Sequence, residues 1–430
     1  MFYDLTEKPE GFRRWPQSTA GIPCRRLGQS ISFPVTAHSM LVNGKIGRGK
    51  TTFVKEFVSS RLQDLSVKAV FFEIKAGDFS GMFMKPGDKM IAWDASHCSP
   101  DQLFQWNMVK EIRDSADWEA ELNQLGGILF EDLLDPRNRL WAEGAKQTFI
   151  GFLRTILHCY GNNPSNAAVI RSMRNMNRME LLAHLAMYPG NRSLLRDYFE
   201  YDPDNTAGYM MPRKGMDIFF FLQDVLGRFN ASFLSEAGTD TIADFLAGNY
   251  SRLFISYDYS KKDSLIQFVR YFLKKIILEK ISLHSRKDQP VLMVLDEISE
   301  LEHDFALMQG ATVGREYGLQ IILSTQSLEK LYSILPSDQG EHYLNAALAG
   351  FPFLVTFQPG DPQSIETLQK LFGRRRVQTM TMPLSRYEKP VIVTELQPIV
   401  QDEDFASLGV GECYVKLLSA EPERISFFRD

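Results

Sequence analysis

Cysteine is scarce in this chain, and its histidines are not clustered. Four cysteines occur in 430 residues with no C-x-x-C pair, and the seven histidines show no metal-ligand spacing. A disulfide framework and a structural zinc site are therefore not expected, and a reducing compartment fits the composition. No G-x-S-x-G sequence and no Cys/His pairing stands out, so the usual nucleophilic hydrolase sites are not indicated.

Long apolar runs and an excess of positive charge are also missing. No apolar run approaches the roughly 18 residues of a membrane-spanning helix, and residues 1–15 lack the apolar centre of a signal peptide. We expect a soluble chain whose membrane contact would come through a partner or through residues absent here. With 48 basic and 53 acidic side chains the net charge is −5, which excludes a wholly basic coat protein but allows a local basic patch.

A glycine-rich segment lies at residues 44–51, which read GKIGRGKT and fit G-x-x-x-x-G-K-[ST]. A strand-like run (38–43) precedes it and a run of helical period (51–62) follows. In such a loop, small residues let backbone N–H groups turn toward a phosphate, and the helix N-terminus adds a positive dipole end. We predict a nucleotide-binding loop rather than a glycine turn with a chance lysine. Its binding residues would be Gly44, Gly47, Arg48, Gly49, Lys50, Thr51 and Thr52.

Two adjacent carboxylates follow a later apolar run, residues 291–295, as Asp296 and Glu297. Buried strands of α/β sheets bring such groups to the edge where ligands bind. Asp296, with the Thr51 hydroxyl, would hold Mg²⁺, and Glu297 would orient or deprotonate the attacking water. An acidic strand end is common by itself, and the upstream glycine loop is what favours this interpretation.

Two more residues are candidates for the same chemistry. Gln326 follows the strand-like run 319–324 and would sense the γ-phosphate or the water, or else be a plain amide in a turn. Arg315 lies in the sequence GREYG, residues 314–318. It would act as an arginine finger on a neighbouring subunit, or as a surface arginine paired with a carboxylate.

The order of predicted elements indicates an interrupted α/β core. Strand, helix and strand alternate up to about residue 98, helical period dominates 99–246, and strand-like runs return from 252. We predict an irregular lead-in (1–38), a discontinuous α/β nucleotide-binding domain (39–98 and 247–430) and an inserted all-α domain (99–246).

Two groups of arginines could contact DNA phosphates. Arg171, Arg174 and Arg178 have the spacing of one helix face. Arg374, Arg375 and Arg376 form a short cationic loop after a glycine. Groups of this kind are more often a solvated surface than a DNA contact.

Taken together, the motifs resemble those of a known family. The glycine loop, IKAGDFS (74–80), Asp296-Glu297, GREYG (314–318) and STQSL (324–328) occur in an order similar to that of TraD/TraG-like coupling proteins of type IV secretion and conjugation systems. The resemblance covers about residues 28–430 and is loose in the helical insertion. It implies a RecA-like P-loop NTPase core of the FtsK/HerA type, with a mostly parallel central sheet and an inserted all-α domain.

The resemblance also implies a function. ATP and Mg²⁺ would bind at Lys50, Thr51 and Asp296, with Glu297 and Gln326 acting on the water and γ-phosphate and Arg315 reaching in from the next subunit. Asp78 would lie beside the nucleotide. The chain would form a homo-hexamer at the cytoplasmic face of the bacterial inner membrane. It would drive single-stranded DNA with its relaxase, or protein effectors, into the secretion channel.

Family members usually carry N-terminal transmembrane helices, and the sequence shows none, which indicates either a removed anchor or a soluble member recruited by a membrane partner. Two alternatives stay open. A HerA/FtsK-type translocase would act on double-stranded DNA, and a substrate-docking adaptor would bind nucleotide only as a structural ligand.

Overall fold

The computed structural model describes residues 21–26, 29–35, 38–75, 77–92, 98–133, 137–229, 234, 238–248, 250–256, 262–282, 289–297, 305–329, 348, 350–381, 391–417 and 420–427. The strands are β1 (Gly21–Arg26), β2 (Gln29–Pro34), β3 (Met40–Asn43), β4 (Lys68–Glu73), β5 (Lys89–Ile91), β6 (Arg252–Ser256), β7 (Val291–Leu295), β8 (Leu319–Thr325), β9 (Phe353–Thr356), β10 (Arg374–Thr381), β11 (Val391–Pro398), β12 (Glu412–Leu417) and β13 (Glu423–Ser426).

The helices complete the set of elements. They are α1 (Lys50–Arg61), α2 (Ser80–Phe83), α3 (Met108–Arg113), α4 (Trp118–Leu129), α5 (Arg139–Cys159), α6 (Asn166–Asn175), α7 (Arg178–Ala186), α8 (Arg192–Phe199), α9 (Arg213–Arg228), α10 (Ile242–Ala247), α11 (Lys262–Ser282), α12 (Phe305–Val313), α13 (Pro362–Phe372) and α14 (Asp402–Ala406). Short 3₁₀ helices span Glu131–Leu133, Pro189–Asn191 and Gly314–Tyr317.

The chain divides into two compact units. The first combines Met1–Ala69 with Lys280–Asp430, and the second is Val70–Glu279. In the first unit the strands lie in the order β2-β1-β13-β12-β9-β3-β8-β7. The pairs β9-β3, β3-β8 and β8-β7 are parallel. The pairs β2-β1, β1-β13, β13-β12 and β12-β9 are antiparallel. The predicted α/β class, with parallel strands at the centre of the sheet, is confirmed.

The burial of the central strands agrees with their parallel arrangement. Every residue of β3, β7, β8 and β9 is buried, as expected for parallel strands covered on both faces. Strand β12, which pairs antiparallel with β9 and β13, instead alternates between buried and half-buried residues. Helix α1 packs its Phe53 and Phe57 against this sheet, and the Phe53 ring lies 4.4 Å from that of Phe427 and 5.4 Å from that of Phe33.

The second unit contains three neighbouring strands, in the order β4-β6-β5, and a series of helices. Between β5 and β6 the described secondary-structure elements are helices α3 to α10 and two 3₁₀ helices, so the helical character predicted for 99–246 is confirmed. The domain boundaries at 98/99 and 246/247 stay a prediction. A buried polar network joins two of its helices, because the Tyr271 hydroxyl donates to Glu121 Oε1 (2.6 Å) and Lys275 Nζ donates to Glu121 Oε2.

The sequence predictions are wrong in three places. The lead-in predicted as irregular includes β1 and β2, an antiparallel hairpin whose first strand pairs with β13; residues 1–20 lie outside the described residues. Arg178 does not share a helix with Arg171 and Arg174, because Met176 is extended (ψ 133°) and Asn177 caps a new helix with Glu180. Arg374, Arg375 and Arg376 do not form a loop but begin β10.

Candidate nucleotide-binding site

Three parallel strands bring the predicted motifs to one edge of the sheet. Strand β8 lies between β3 and β7, with Asn43 opposite Thr325 and Leu295 opposite Leu323. The glycine loop therefore begins beside the segment containing Gln326, and Asp296 and Glu297 follow the next strand. Carboxyl ends of parallel strands share one edge, which is where ligands bind in α/β sheets. The strand that precedes Gln326 therefore lies between the loop strand and the acid strand.

The glycine loop has the backbone that its sequence predicts. Gly44, Gly47 and Gly49 have φ of 146°, 75° and 105°, values that favour glycine. At Gly44 a Cβ atom would lie 2.7 Å from Phe357 Cβ, so a side chain is also excluded by space. The Gly44 amide donates to the Thr325 carbonyl (3.3 Å) and the Lys45 amide to the Gln358 carbonyl (2.8 Å). These bonds hold the start of the loop between the ends of β8 and β9.

The rest of the loop leaves its donors available. From Gly47 to Thr51 no main-chain N–H donates to another residue in the described part of the chain. Buried or half-buried N–H groups are normally paired in folded proteins, and the first turn of a helix has no internal acceptor for them. The N-terminus of α1, twelve residues long, adds a positive dipole end. Such a loop can bind an anion through its backbone.

Lys50 is the charged group of this loop. Its side chain is buried, with 8% of its surface exposed, and its Nζ donates to the carbonyl oxygens of Gly44 and Lys45, the latter at 3.2 Å. Burial lowers the pKa of Lys50, while the charges of Glu297 and Asp296 act to raise the pKa. The ammonium group and both carboxylates therefore lie within electrostatic range of one another, across a sequence separation of more than 240 residues.

Glu297 adopts an unusual backbone conformation. Its φ is 53°, a left-handed value shared among the described non-glycine residues only with Glu200. Such a conformation costs on the order of 1 kcal/mol for a side chain with a Cβ atom, and strain of this kind concentrates at functional sites. Asp296 and Glu297 are both half-buried. No sequence signal would have indicated this turn.

Gln326 lies in a turn fixed by its neighbours. Thr325 Oγ1 donates to the Ser327 carbonyl at 2.8 Å, and the Leu328 amide donates to Ser364 Oγ at 2.9 Å. Ser364 is in turn held by Asp361, the N-cap of α13. Sequence reasoning missed this support, although Asp361-Pro362 before a helical run is a recognisable helix start.

Two buried polar side chains beside the loop were also missed. Asn43 and Thr356 face each other in the register of β3 and β9 and are fully buried. The Asn43 amide atoms and Thr356 Oγ1 have no hydrogen-bond partner among the described residues. Polar residues ending an apolar strand were the only available signal.

Arg315 is not brought to this edge. It belongs to the 3₁₀ helix that precedes β8, so the seven residues of β8 separate it from Gln326, a length of roughly 20 Å. Its side chain is exposed, and it makes no hydrogen bond or ion pair with a described residue. Burial lowers the pKa of His38, and the charge of Arg315 lowers it further. The two side chains therefore lie near each other, beside the N-terminal ends of β3 and β8.

The remaining candidates are described by their own surroundings. Asp78 follows β4 in a loop held by the buried Glu73 carboxylate, which accepts from the amides of Phe79 (2.7 Å) and Ser80 (3.0 Å); sequence reasoning missed Glu73. Arg171, Arg174 and Arg178 are exposed on α6 and α7, and Arg374 to Arg376 are exposed on β10. Arg48 is half-buried and Thr52 exposed, both in the loop region.

None of the helices in the described residues is both long and apolar enough to cross a bilayer.

Comparison with known proteins identifies relatives. A family model described as the type IV secretion-system coupling protein DNA-binding domain matches residues 27–422. No curated protein sequence matches the chain.

Three solved structures are similar to the chain. The plasmid coupling protein TrwB in complex with a non-hydrolysable ATP analogue is 16% identical, with a TM-score of 0.72 and coverage of 100% of this chain and 95% of that chain. TrwB in complex with ADP and Mg²⁺ is 16% identical, with a TM-score of 0.71 and coverage of 97% and 91%. VirB4 of Thermoanaerobacter pseudethanolicus is 13% identical, with a TM-score of 0.56 and coverage of 96% and 98%. These similarities confirm the predicted RecA-like NTPase fold.

Proposed function

Since the chain belongs to the family of the type IV secretion-system coupling protein DNA-binding domain, we propose that it is an ATP-hydrolysing coupling protein that drives DNA or protein substrates into a secretion channel. The observation that supports this most is the juxtaposition of Lys50 with Asp296 and Glu297 at the edge of a parallel sheet. A lysine ammonium can bind phosphate oxygens, and carboxylate oxygens suit Mg²⁺, so these charges at one edge fit a nucleotide with its metal ion.

ATP is the nucleotide, and its phosphates bind the unpaired amides from Gly47 to Thr51 and the Lys50 ammonium. The related TrwB was solved with an ATP analogue and with ADP and Mg²⁺. In this chain the Thr51 hydroxyl and the Asp296 carboxylate are the oxygen donors that suit Mg²⁺. When bound, the ion neutralises charge on the β- and γ-phosphates.

Glu297 acts on the water that attacks the γ-phosphorus. Its carboxylate orients the water and takes its proton, while the bond from phosphorus to the ADP oxygen breaks and phosphate leaves. Gln326 emerges from the neighbouring strand and contacts the γ-phosphate or the same water, so it distinguishes ATP from ADP. The fixed turn around Thr325 and Ser327 keeps this amide in position.

Arg315 acts in trans. Its distance from its own glycine loop, and its exposed guanidinium that pairs with no described residue, suit a residue that completes the site of an adjacent subunit. A homo-hexameric ring at the cytoplasmic face of the inner membrane is the assembly that the family resemblance implies, with a channel component or a membrane partner as its anchor.

The substrate is single-stranded DNA with its relaxase, or a protein effector. The exposed Arg171, Arg174 and Arg178 of the helical region are the proposed phosphate contacts, and Arg374 to Arg376 are a second predicted group. An adaptor that holds nucleotide structurally is disfavoured, because retention alone does not need a strained Glu297. The two motor functions differ in the DNA that stimulates ATP hydrolysis. Single-stranded DNA stimulates a coupling protein, whereas duplex DNA stimulates a double-strand translocase.

Multiple-turnover ATP hydrolysis, measured with and without single-stranded DNA, tests the proposal. Lys50→Ala should lower turnover by 10²-fold or more, of the order seen when transition-state charge stabilisation is lost. Lys370→Ala is the matched control, because Lys370 is exposed and pairs with the exposed Glu366, and surface pairs contribute little to stability. Wild-type turnover in the Lys50 variant would disprove the site, and stimulation by duplex DNA alone would favour the double-strand translocase.

A further inference from the structure

Strands β10 and β11 form a two-stranded ribbon of their own. They pair antiparallel over eight residues each, from Arg374 opposite Pro398 to Thr381 opposite Val391, and in the described residues neither pairs with another strand. At the base of the ribbon the Ile399 amide donates to the Gly373 carbonyl at 3.0 Å. At about 3.4 Å per residue, eight residues extend roughly 27 Å from this base.

One face of the ribbon is both apolar and cationic. Opposite residues of an antiparallel pair share a face, so Arg376 shares one with Leu396, and Arg374 and Ile392 lie on that same face. Leu396 is 59% exposed and Ile392 is 56% exposed. Both arginines are exposed as well, and neither forms an ion pair with a described residue. We call this set of four residues the basic ribbon face.

An isolated ribbon of this kind is marginally stable in water. Exposed aliphatic side chains such as Leu396 and Ile392 normally pack against another surface. Within the described residues both edges of the ribbon are unpaired, and unpaired strand edges favour association. The charge of the basic ribbon face therefore favours an occupant that carries negative charge.

The same unit carries a complementary surface. Helix α14 begins with three acidic residues, of which Asp402 and Glu403 are exposed. Asp402 accepts only from the Gln369 amide (2.6 Å), and neither acidic residue forms an ion pair in the described part of the chain. The ribbon arginines and the two exposed acidic residues of α14 thus form no ion pair within the described part of the chain.

We propose that the basic ribbon face docks on α14 of a second copy of this chain. Ribbon and helix are different surfaces, so the contact is heterologous and repeats from subunit to subunit, which generates a ring when the rotation closes. The proposal rests on the proposed function in that a ring is the assembly that brings Arg315 to a neighbouring site. The competing occupant of the same arginines is a DNA backbone.

A charge-swap experiment with the full chain separates these occupants. One variant carries Arg374→Glu and Arg376→Glu, and the other carries Asp402→Lys and Glu403→Lys. Each should associate with itself at least about ten-fold more weakly than the wild type, because like charges oppose each other across the contact. An equimolar mixture should recover wild-type association, since each variant's ribbon then meets the opposite charge. Mass is measured over a concentration series with an ATP analogue and Mg²⁺ present.

Nucleotide affinity is the folding control, and both variants should keep the wild-type value. Wild-type association of either variant, or a mixture that recovers nothing, would overturn the proposal. A ribbon variant that assembles normally but loses affinity for single-stranded DNA would assign the arginines to DNA instead. Because nucleotide binding is read in the same samples, failure of the docking proposal is distinguishable from failure of the ATPase proposal.

Discussion

The Gly44 amide donates a hydrogen bond to the Thr325 carbonyl across 3.3 Å. This bond joins the first residue of the glycine loop to the last residue of the strand that presents Gln326. A shift of the segment that contains Gln326 would therefore change the geometry at the start of the glycine loop, and a shift of the loop would change that segment. This hydrogen bond physically links the proposed recognition of the γ-phosphate by Gln326 to the binding of the nucleotide by the glycine loop.

Gly44→Ala should damage both stability and nucleotide binding. A Cβ atom would lie 2.7 Å from Phe357 Cβ at a φ of 146°, so strain and overpacking together should cost on the order of 2 kcal/mol. Urea unfolding and binding of an ATP analogue measure the two effects. Gly127→Ala is the control: it lies within α4 with open space around its Cβ position, and the substitution should be neutral or slightly stabilising. Equal effects of both variants would contradict the account.

Glu297→Gly should separate stability from activity. Glycine relieves the left-handed strain at φ 53°, so the free energy of unfolding should rise by about 0.5–1 kcal/mol. Turnover should fall by 10²-fold or more because the general base is lost.

Glu200→Gly is the matched control for this variant. Glu200 has φ 51° at the C-cap of α8, where glycine is the preferred residue. It should gain similar stability while ATP turnover stays at the wild-type level. A Glu297→Gly protein that keeps full turnover would remove the catalytic role of this carboxylate.

Glu111→Gln should change the pH dependence of stability. Burial raises the pKa of Glu111 from 4.5 to about 7, and its Oε2 accepts from the Ile242 amide at 2.6 Å. The folded state binds the proton more tightly than the unfolded state. The stabilisation is thus fully present below pH 4.5 and is lost as the pH rises through about 7, a change on the order of 3 kcal/mol.

The Gln variant should show little of this decline and should be the more stable protein at pH 8. Urea unfolding between pH 5 and pH 8 measures it, with the exposed Glu131→Gln variant expected to follow the wild type. Parallel pH profiles for the wild type and Glu111→Gln would show that this carboxyl is not responsible.

Mixing two inactive proteins should restore activity if Arg315 acts in trans. In a mixed ring, an Arg315→Ala subunit supplies an intact glycine loop and a Lys50→Ala subunit supplies an intact arginine. Some interfaces then carry both groups, so ATP turnover should rise above the sum of the separate proteins. The rise should vanish on dilution below the assembly concentration. An Arg315→Ala protein that is fully active when assembled would exclude the finger.

The site was predictable from sequence where local patterns dictate local structure. Residues 44–51 need their glycines for backbone reasons, and apolar runs such as 291–295 need burial on both faces, so the loop, the strands and the edge that they share followed from the sequence. The left-handed turn at Glu297 did not, because it depends on packing between distant segments. The β1–β2 hairpin also depends on a distant partner, β13. The helix break at Met176 was predictable from Asn177 and Glu180, a capping box in the sequence, and was overlooked.

The central claim is that unpaired amides of the glycine loop hold the phosphates of ATP. Amide hydrogen exchange of the Glu297→Gln protein, with and without ATP and Mg²⁺, tests it most directly, because this variant should bind ATP without consuming it. We predict that exchange at Gly47 to Thr51 slows by at least about ten-fold on binding. Unchanged exchange in this segment, with nucleotide-dependent protection only elsewhere in the chain, would contradict the account.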